Sequence, residues 1–373
     1  MPDWLSIGAE LPIASFLSYL FSGLVALYWL GLGISWHFYQ KKSLPPVEVL
    51  PPVSLLIAAH DAASHLKRLF ERLRQIDYPS PWEVIVAADR CTDDTELILK
   101  EAAAYLPLRW LSIPEVPRTW KPKKYALWQA TCLASYEWCV LIDADVDTST
   151  FWLERLMRSS SGKEAVLAPA WLIPQSALGS RLSAYEAALV QVEALGRAAM
   201  GYPYMATGRG WAIRKSWLRA GLYRWRKEIS GDDDLTFQML PSAYVGIATE
   251  PTYSQAPASF QTALLRKWRH LQTARAYPFL LRVSLALPPL LQLLSVLGPI
   301  WSPEALPALF LPPVAKAIAL AFMRAPRATI TLWLDPVLLL LQVFYPVGAW
   351  VRKNTWALFF ALSAYLCYAL HAI

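Results

Sequence analysis

The chain of 373 residues is short of charge: 17% of it is Asp, Glu, Lys or Arg, against 55% hydrophobic residues. Its mean hydropathy is +0.30. An ordinary water-soluble enzyme of this length carries more charge and less apolar bulk, so membrane segments beside a soluble part are expected. Cysteine is equally scarce. The four present, Cys91, Cys132, Cys139 and Cys367, have no CxxC or CxxH spacing. They read as reduced cytosolic and membrane thiols, with no structural zinc. Internal repeats and low-complexity tracts are also missing. The net charge of +7 is matched by no nucleic-acid module or clustered basic helix, so headgroup contact explains it better.

Charge is missing in blocks. Residues 11–38 contain no Asp, Glu, Lys or Arg, a run long enough to cross a hydrocarbon core of roughly 30 Å. The residues before it carry Asp3 and Glu10 and no cation, unlike a cleaved signal peptide. Lys41 and Lys42 follow at once, which orients the N-terminus outward and the next segment into the cytosol. Charge is sparse again at 283–303, 305–323, 328–351 and 355–373, implying three or four further spans or hairpins. Pro288, Pro289, Pro312 and Pro313 are expected to break helices or form re-entrant pieces. Four full spans would put Arg352 and Lys353 outside, against the charge rule, so one segment is expected in the interface instead. The division implied is an anchor at 1–42, a cytosolic domain at 43–275 and membrane helices at 276–373.

The middle opens with a proline-rich stiff linker, SLPPVEVLPP. Short apolar runs at 53–59, 82–88, 108–113 and 138–142 read as buried strands. Helical spacing lies between them, at 65–75, 92–105 and 124–133. Alternation of this kind predicts an α/β doubly wound, mostly parallel sheet, whose ligands bind beyond the strands' C-terminal ends. The second strand runs into Asp89 and the fourth into Asp143–Ala144–Asp145. Acids at such ends often cap helices, the ordinary reading for Asp93. Two carboxylates astride one small residue repel each other unless a cation sits between them.

PVSLLIAAHDA, VIVAADRCTDDT, KPKKYAL and LIDADV, in this order and spacing, resemble the nucleotide-sugar half of membrane-bound family 2 glycosyltransferases. These are inverting enzymes of the GT-A fold. The resemblance covers about 52–275 and extends toward the ceramide-glucosyltransferase and cellulose-synthase-like branch. It implies that Asp89 contacts the nucleotide base and Lys123 the base or phosphate. Asp143 would lie against ribose, and Asp145, with Asp143, would hold Mg²⁺ or Mn²⁺ on the diphosphate. Asp147, beyond the motif, is expected to cap a turn or helix. TGRGWAIRKSW is similar to an acceptor-side loop, with Gly208, Gly210 and Arg214 in the matching places. SGDDDLTFQML resembles the base segment, implying Asp232 as general base, or Asp233 if the register shifts. Gly231 stands where Glu is common. Lys267 and Trp268 take the R-W places of Q-x-x-R-W, although Leu264 occupies the Gln position; an amphipathic interfacial helix is the competing reading.

The resemblance implies transfer from a nucleotide sugar, a uridine diphosphate sugar being favoured, to a lipid or lipid-linked acceptor at the cytosolic face. A bacterial inner membrane is the expected setting. A processive polysaccharide synthase is the alternative, and a non-catalytic membrane scaffold a weaker one. Asp61–Ala62 in place of Asn–Glu, and Arg90–Cys91 in place of Gly–Ser, depart from the family pattern.

Overall fold

The computed structural model describes residues 12–42, 49–326 and 334–339. It begins with the long helix α1 (Ile13–Gln40). The four apolar runs then become four adjacent parallel strands. β1 (Val53–Ala59) lies between β2 (Trp82–Asp89) and β4 (Trp138–Leu141), and β3 (Leu108–Ile113) flanks β2. The intervening helices are α2 (Ala63–Leu73), α3 (Thr95–Ala102) and α4 (Pro122–Leu133). Each expected strand is found within one residue at either end. Alternate β1 side chains enter different cores, Leu55 and Ile57 one and Leu56 the other, so both faces are covered.

Register aligns the strand ends. Leu56 pairs with Leu141, which carries Asp143 level with Ala58. Ala59 pairs with Ala88, which carries Asp89 level with His60. Both acids therefore stand on the C-terminal rim of the parallel strands.

The remaining strands break the parallel pattern. The seven-stranded order is β3-β2-β1-β4-β7-β5-β8, where β5 is Ala165–Leu167, β7 is Trp211–Arg214 and β8 is Val245–Ile247. β7 runs antiparallel to both of its neighbours. β6 (Ala170–Ile173) and β9 (Thr252–Gln255) form a separate parallel pair. The helices here are α5 (Trp152–Met157), α6 (Leu178–Ala199), α7 (Lys215–Arg224), α8 (Asp234–Phe237) and α9 (Phe260–Ala274).

Two further helices follow, α10 (Phe279–Trp301) and α11 (Leu311–Phe322). α1, α10 and the segment 303–322 are long and apolar enough to cross a membrane. The spans expected at 328–351 and 355–373 lie outside the described residues, apart from 334–339. So do residues 1–11 and most of the proline-rich linker.

The prolines of α10 do not break it. Pro288 removes the amide that would bond the Ser284 carbonyl, and Arg197 Nη2 donates to that oxygen at 3.1 Å. Pro299 frees the Ser295 carbonyl in the same way, and Ser18 Oγ donates to it at 2.6 Å. Pro312 and Pro313 sit in the first turn of α11, where missing amides cost least.

Buried charge among these helices is also partnered. Lys316 Nζ lies 2.7 Å from Asp335 Oδ1, and Asp335 accepts from Tyr185 on α6 at 3.0 Å and Gln292 on α10 at 2.7 Å. Small residues let the helices meet closely. A Cβ on Gly196 of α6 would lie 2.7 Å from Leu32 Cβ of α1.

Gly196→Ala is therefore expected to lower the thermal stability of the purified protein, by about 1–3 kcal/mol. Gly23→Ala, where nothing lies within 4 Å, is expected to leave it unchanged or raise it. Unfolding followed in detergent measures both.

Candidate active site

β4 ends at Leu141, and buried Ile142 carries the chain to Asp143. Lys123, in the first turn of α4, places Nζ 2.8 Å from Asp143 Oδ1. The same ammonium lies 3.2 Å from Asp232 Oδ2. Gly208 closes the group: its N–H donates to Asp233 Oδ2 at 2.8 Å. A Cβ on Gly208 would stand 3.1 Å from Lys123 Nζ and 3.2 Å from Asp143 Oδ2. Three distant stretches of chain thus converge on Lys123.

The three consecutive acids have different surroundings. Asp232 is 7% exposed. Burial opposes its ionisation, yet the Lys123 ammonium holds its carboxyl below the usual range. Asp234 is buried, accepts a hydrogen bond from the Tyr277 hydroxyl, and is pushed up chiefly by burial. Asp233 is the half-buried member. Burial first, then the charges of Asp232 and Asp234, push its carboxyl well above the ordinary value. It also caps α8, its Oδ1 accepting from Asp234 N–H at 2.9 Å.

Gly231 has a physical reason for replacing the expected Glu. Its φ is +90°, and a Cβ would meet Leu235 Cγ at 2.6 Å. Lys124 is buried and donates to the carbonyls of Trp225 at 2.8 Å and Ser230 at 2.7 Å. It fixes the approach to the triplet from the same turn that presents Lys123.

Asp145 faces another way. It opens onto a cavity of about 470 Å³ lined also by His65, Arg68, Arg72 and Tyr253. Its surroundings desolvate it, and with Asp143 nearby its carboxyl is raised. No side chain among the described residues donates a hydrogen bond to it. Two hard oxygen donors, one of them uncommitted, fit a divalent cation such as Mg²⁺ or Mn²⁺.

Arg209, between the two loop glycines, is buried, and no motif or spacing singles it out. Burial and the Arg266 guanidinium pull it down to about 10, opposed by Asp143, Asp145 and Asp233, so it is cationic at neutral pH. Its Nη2 donates to the Ala170 carbonyl at 3.3 Å, while its buried Nε has no partner. Gly210 beside it has φ +144°, and a Cβ would approach Thr252 Cγ2 to 2.9 Å.

Other expected residues stand apart from this group. Asp89 is buried on the same rim, but Arg90 clasps it, Nε to Oδ1 at 2.8 Å and Nη2 to Oδ2 at 3.0 Å. Arg214 pairs with Trp138, at the far end of β4 from Asp143, and stacks on its ring at 4.7 Å. Register therefore keeps Arg214 away from the rim. Lys267 on α9 is ion-paired to Glu186 of α6, and Trp268 is half-buried on the same helix. Asp147 does not cap; it pairs with Arg72 at 2.8 Å.

Asp93 lies one residue ahead of Asp94, the N-cap of α3, and accepts from Thr95 N–H at 3.0 Å. Asp61, Cys91 and Asp93 bring ligand-type atoms within 4.8 Å of one another. Both carboxylates are spent on tying loops: Asp61 accepts from Thr92 N–H at 2.7 Å and Asp93 from Ala63 N–H at 3.0 Å.

Residues 54–221 match the family model described as Glycosyl transferase family 2. The match runs from β1 into α7, and the sheet there has the expected GT-A fold. A mannosyltransferase from Pyrobaculum calidifontis, solved with GDP-Man and Mn²⁺, aligns at a TM-score of 0.50 and 17% identity. That alignment covers 91% of this chain and 99% of the other. Glucosyl-3-phosphoglycerate synthase from Mycobacterium tuberculosis, solved with Mn²⁺, uridine diphosphate and glucosyl-3-phosphoglycerate, aligns at 0.42 and 17% identity. It covers 60% of this chain and 79% of its own. At such identities the first likeness carries the fold alone. No curated protein matches the chain.

Gly208→Ala is expected to leave the fold intact and lower sugar transfer by about tenfold or more, because the added methyl crowds Lys123 and Asp143. Melting temperature and turnover, measured on the same sample, separate the two effects.

Proposed function

We propose that the chain is an inverting, divalent-metal-dependent glycosyltransferase. It moves a sugar from a nucleotide sugar, with a uridine diphosphate sugar as first choice, to a lipid or lipid-linked acceptor at the cytosolic membrane face. The observation that carries this reading is Lys123, shared between the strand-end Asp143 and the acid triplet at Asp232. It brings a cation to the place where a diphosphate leaving group needs one. We further propose an anchor at 1–42, a catalytic domain at 43–275 and membrane helices at 276–373, with the N-terminus outside. The ends of α1 and α11 against the catalytic domain support that orientation.

Asp143 and Asp145 are the residues that would hold Mg²⁺ or Mn²⁺. Bound there, the cation neutralises charge developing on the diphosphate. Lys123 and Arg209 supply fixed positive charge to the same oxygens. Asp89, with its Arg90 partner, faces the nucleotide end of the rim. The acceptor approaches from the Gly208 side, with the acceptor-side Gly210, Lys267 and Trp268 behind it.

Asp233 is the better general base of the two expected. Asp232 is held ionised by Lys123, which weakens its pull on a proton, whereas Asp233 is raised and half open to solvent. As the acceptor oxygen bonds to the anomeric carbon, its proton passes to Asp233. The bond from that carbon to the diphosphate oxygen breaks with its electron pair on the leaving group. One displacement inverts the anomeric configuration.

Asp145→Asn is expected to reduce metal-dependent transfer on the order of a hundredfold without altering membrane insertion. Unchanged turnover would remove the metal assignment. The base assignment makes a separate prediction for pH. Asp233 must be ionised to act, so kcat/KM rises as pH climbs through its raised value, above the ordinary carboxylate range near about 4. Asp232→Asn removes one like charge and moves this acidic limb downward, whereas Asp233→Asn abolishes transfer. The reverse pattern would return the role to Asp232.

A further inference from the structure

A cavity of about 410 Å³ lies where α1 and α11 leave the apolar bundle and meet the catalytic domain. Trp36, His37, Gln40 and Lys41 come from the end of α1, and Met323 and Arg324 from the end of α11. Arg155, Trp171, Glu250 and Tyr253 form the domain's side. The charges do not balance. Arg155 is neutralised by Glu250 at 2.6 Å, whereas Lys41 and Arg324 have no carboxylate partner among the described residues. Lys41 lies over the Phe38 ring at 6.0 Å.

We propose that this cavity binds the phosphate of an anionic membrane phospholipid. An excess of two cations favours an anion, and a guanidinium beside an ammonium suits phosphate oxygens. Position selects a lipid over a soluble phosphate. Both cations follow segments, α1 and residues 303–322, long and apolar enough to span a membrane, so the cavity lies at headgroup depth. The same two helices carry exposed Ile34, Phe38 and Ile318, an apolar surface for acyl chains. Tyr253 lines both this cavity and the one that holds Asp145. A bound headgroup would thus brace the catalytic domain against the bilayer beside its active rim.

Arg324 offers a clean test. It occupies the left-handed position after α11, φ +54°, with Ala325 N–H bonded to the Leu320 carbonyl at 3.0 Å. Glycine is the residue favoured there, so Arg324→Gly removes the cation while suiting the backbone. Full-length protein would be reconstituted in phosphatidylcholine with and without phosphatidylglycerol, and retained lipid counted by native mass spectrometry. The wild type is expected to retain phosphatidylglycerol over phosphatidylcholine by about tenfold. The double variant Lys41→Gln, Arg324→Gly is expected to lose that preference at unchanged melting temperature.

No preference in the wild type, or full preference in the double variant, overturns the proposal. Displacement of the retained lipid by inorganic phosphate reassigns the site to a soluble phosphate and overturns the lipid source. Lipid retention is read without turnover, so its result is independent of the glycosyltransfer reading.

Discussion

One ammonium group joins the two halves of the site. Asp143 belongs to the parallel strands and Asp232 to the segment before α8, and without Lys123 between them two carboxylates would face each other unscreened. Lys123 can do this because its own turn is fastened down. Lys121 N–H donates to the Arg226 carbonyl at 2.7 Å, and Lys124 holds the carbonyls of Trp225 and Ser230. Pro122 starts the helix between them. The KPKK stretch is therefore a clamp that directs the Lys123 ammonium at the acids.

The α/β domain and the long apolar helices share one core. The core on one face of the sheet runs from Leu56 and Ile85 through α6 to Trp29, Leu32 and Trp36 of α1. Polar contacts follow the same route. Tyr185 bonds Asp335, and Arg197 bonds the carbonyl that Pro288 leaves free. Arg197 also stacks on Tyr204 at 5.9 Å. Tyr204 meets Tyr277 edge-on at 6.5 Å, and Tyr277 bonds Asp234 in the acid triplet. These freed and buried polar groups find partners from other elements, which lets proline-bearing and charged helices pack in an apolar setting.

The sequence made the parallel strands legible because each is a short apolar run that ends abruptly in polar residues. Their parallel alternation then implied a shared rim for Asp89, Asp143 and Asp145, and the register of the strands supplies it. Legibility failed where the backbone reverses. β7 is antiparallel, so Arg214, four residues past Gly210, is carried to the far end of the sheet. Arg209 gave no signal, since its importance comes from burial among acids distant in sequence. Nor did spacing reveal that Arg90 would clasp Asp89, or that Gly231 is required by a positive φ. The different surroundings of Asp232 and Asp233 emerged only once the partner of Lys123 was known.

The activity proposed is transfer of one sugar to a membrane acceptor. Purified protein in lipid nanodiscs, supplied with a panel of labelled nucleotide sugars with and without Mn²⁺, measures it directly. Label is expected in the organic extract as a single added sugar, from one donor and only with the cation. Label in a water-soluble polymer, or no label from any donor, would contradict it.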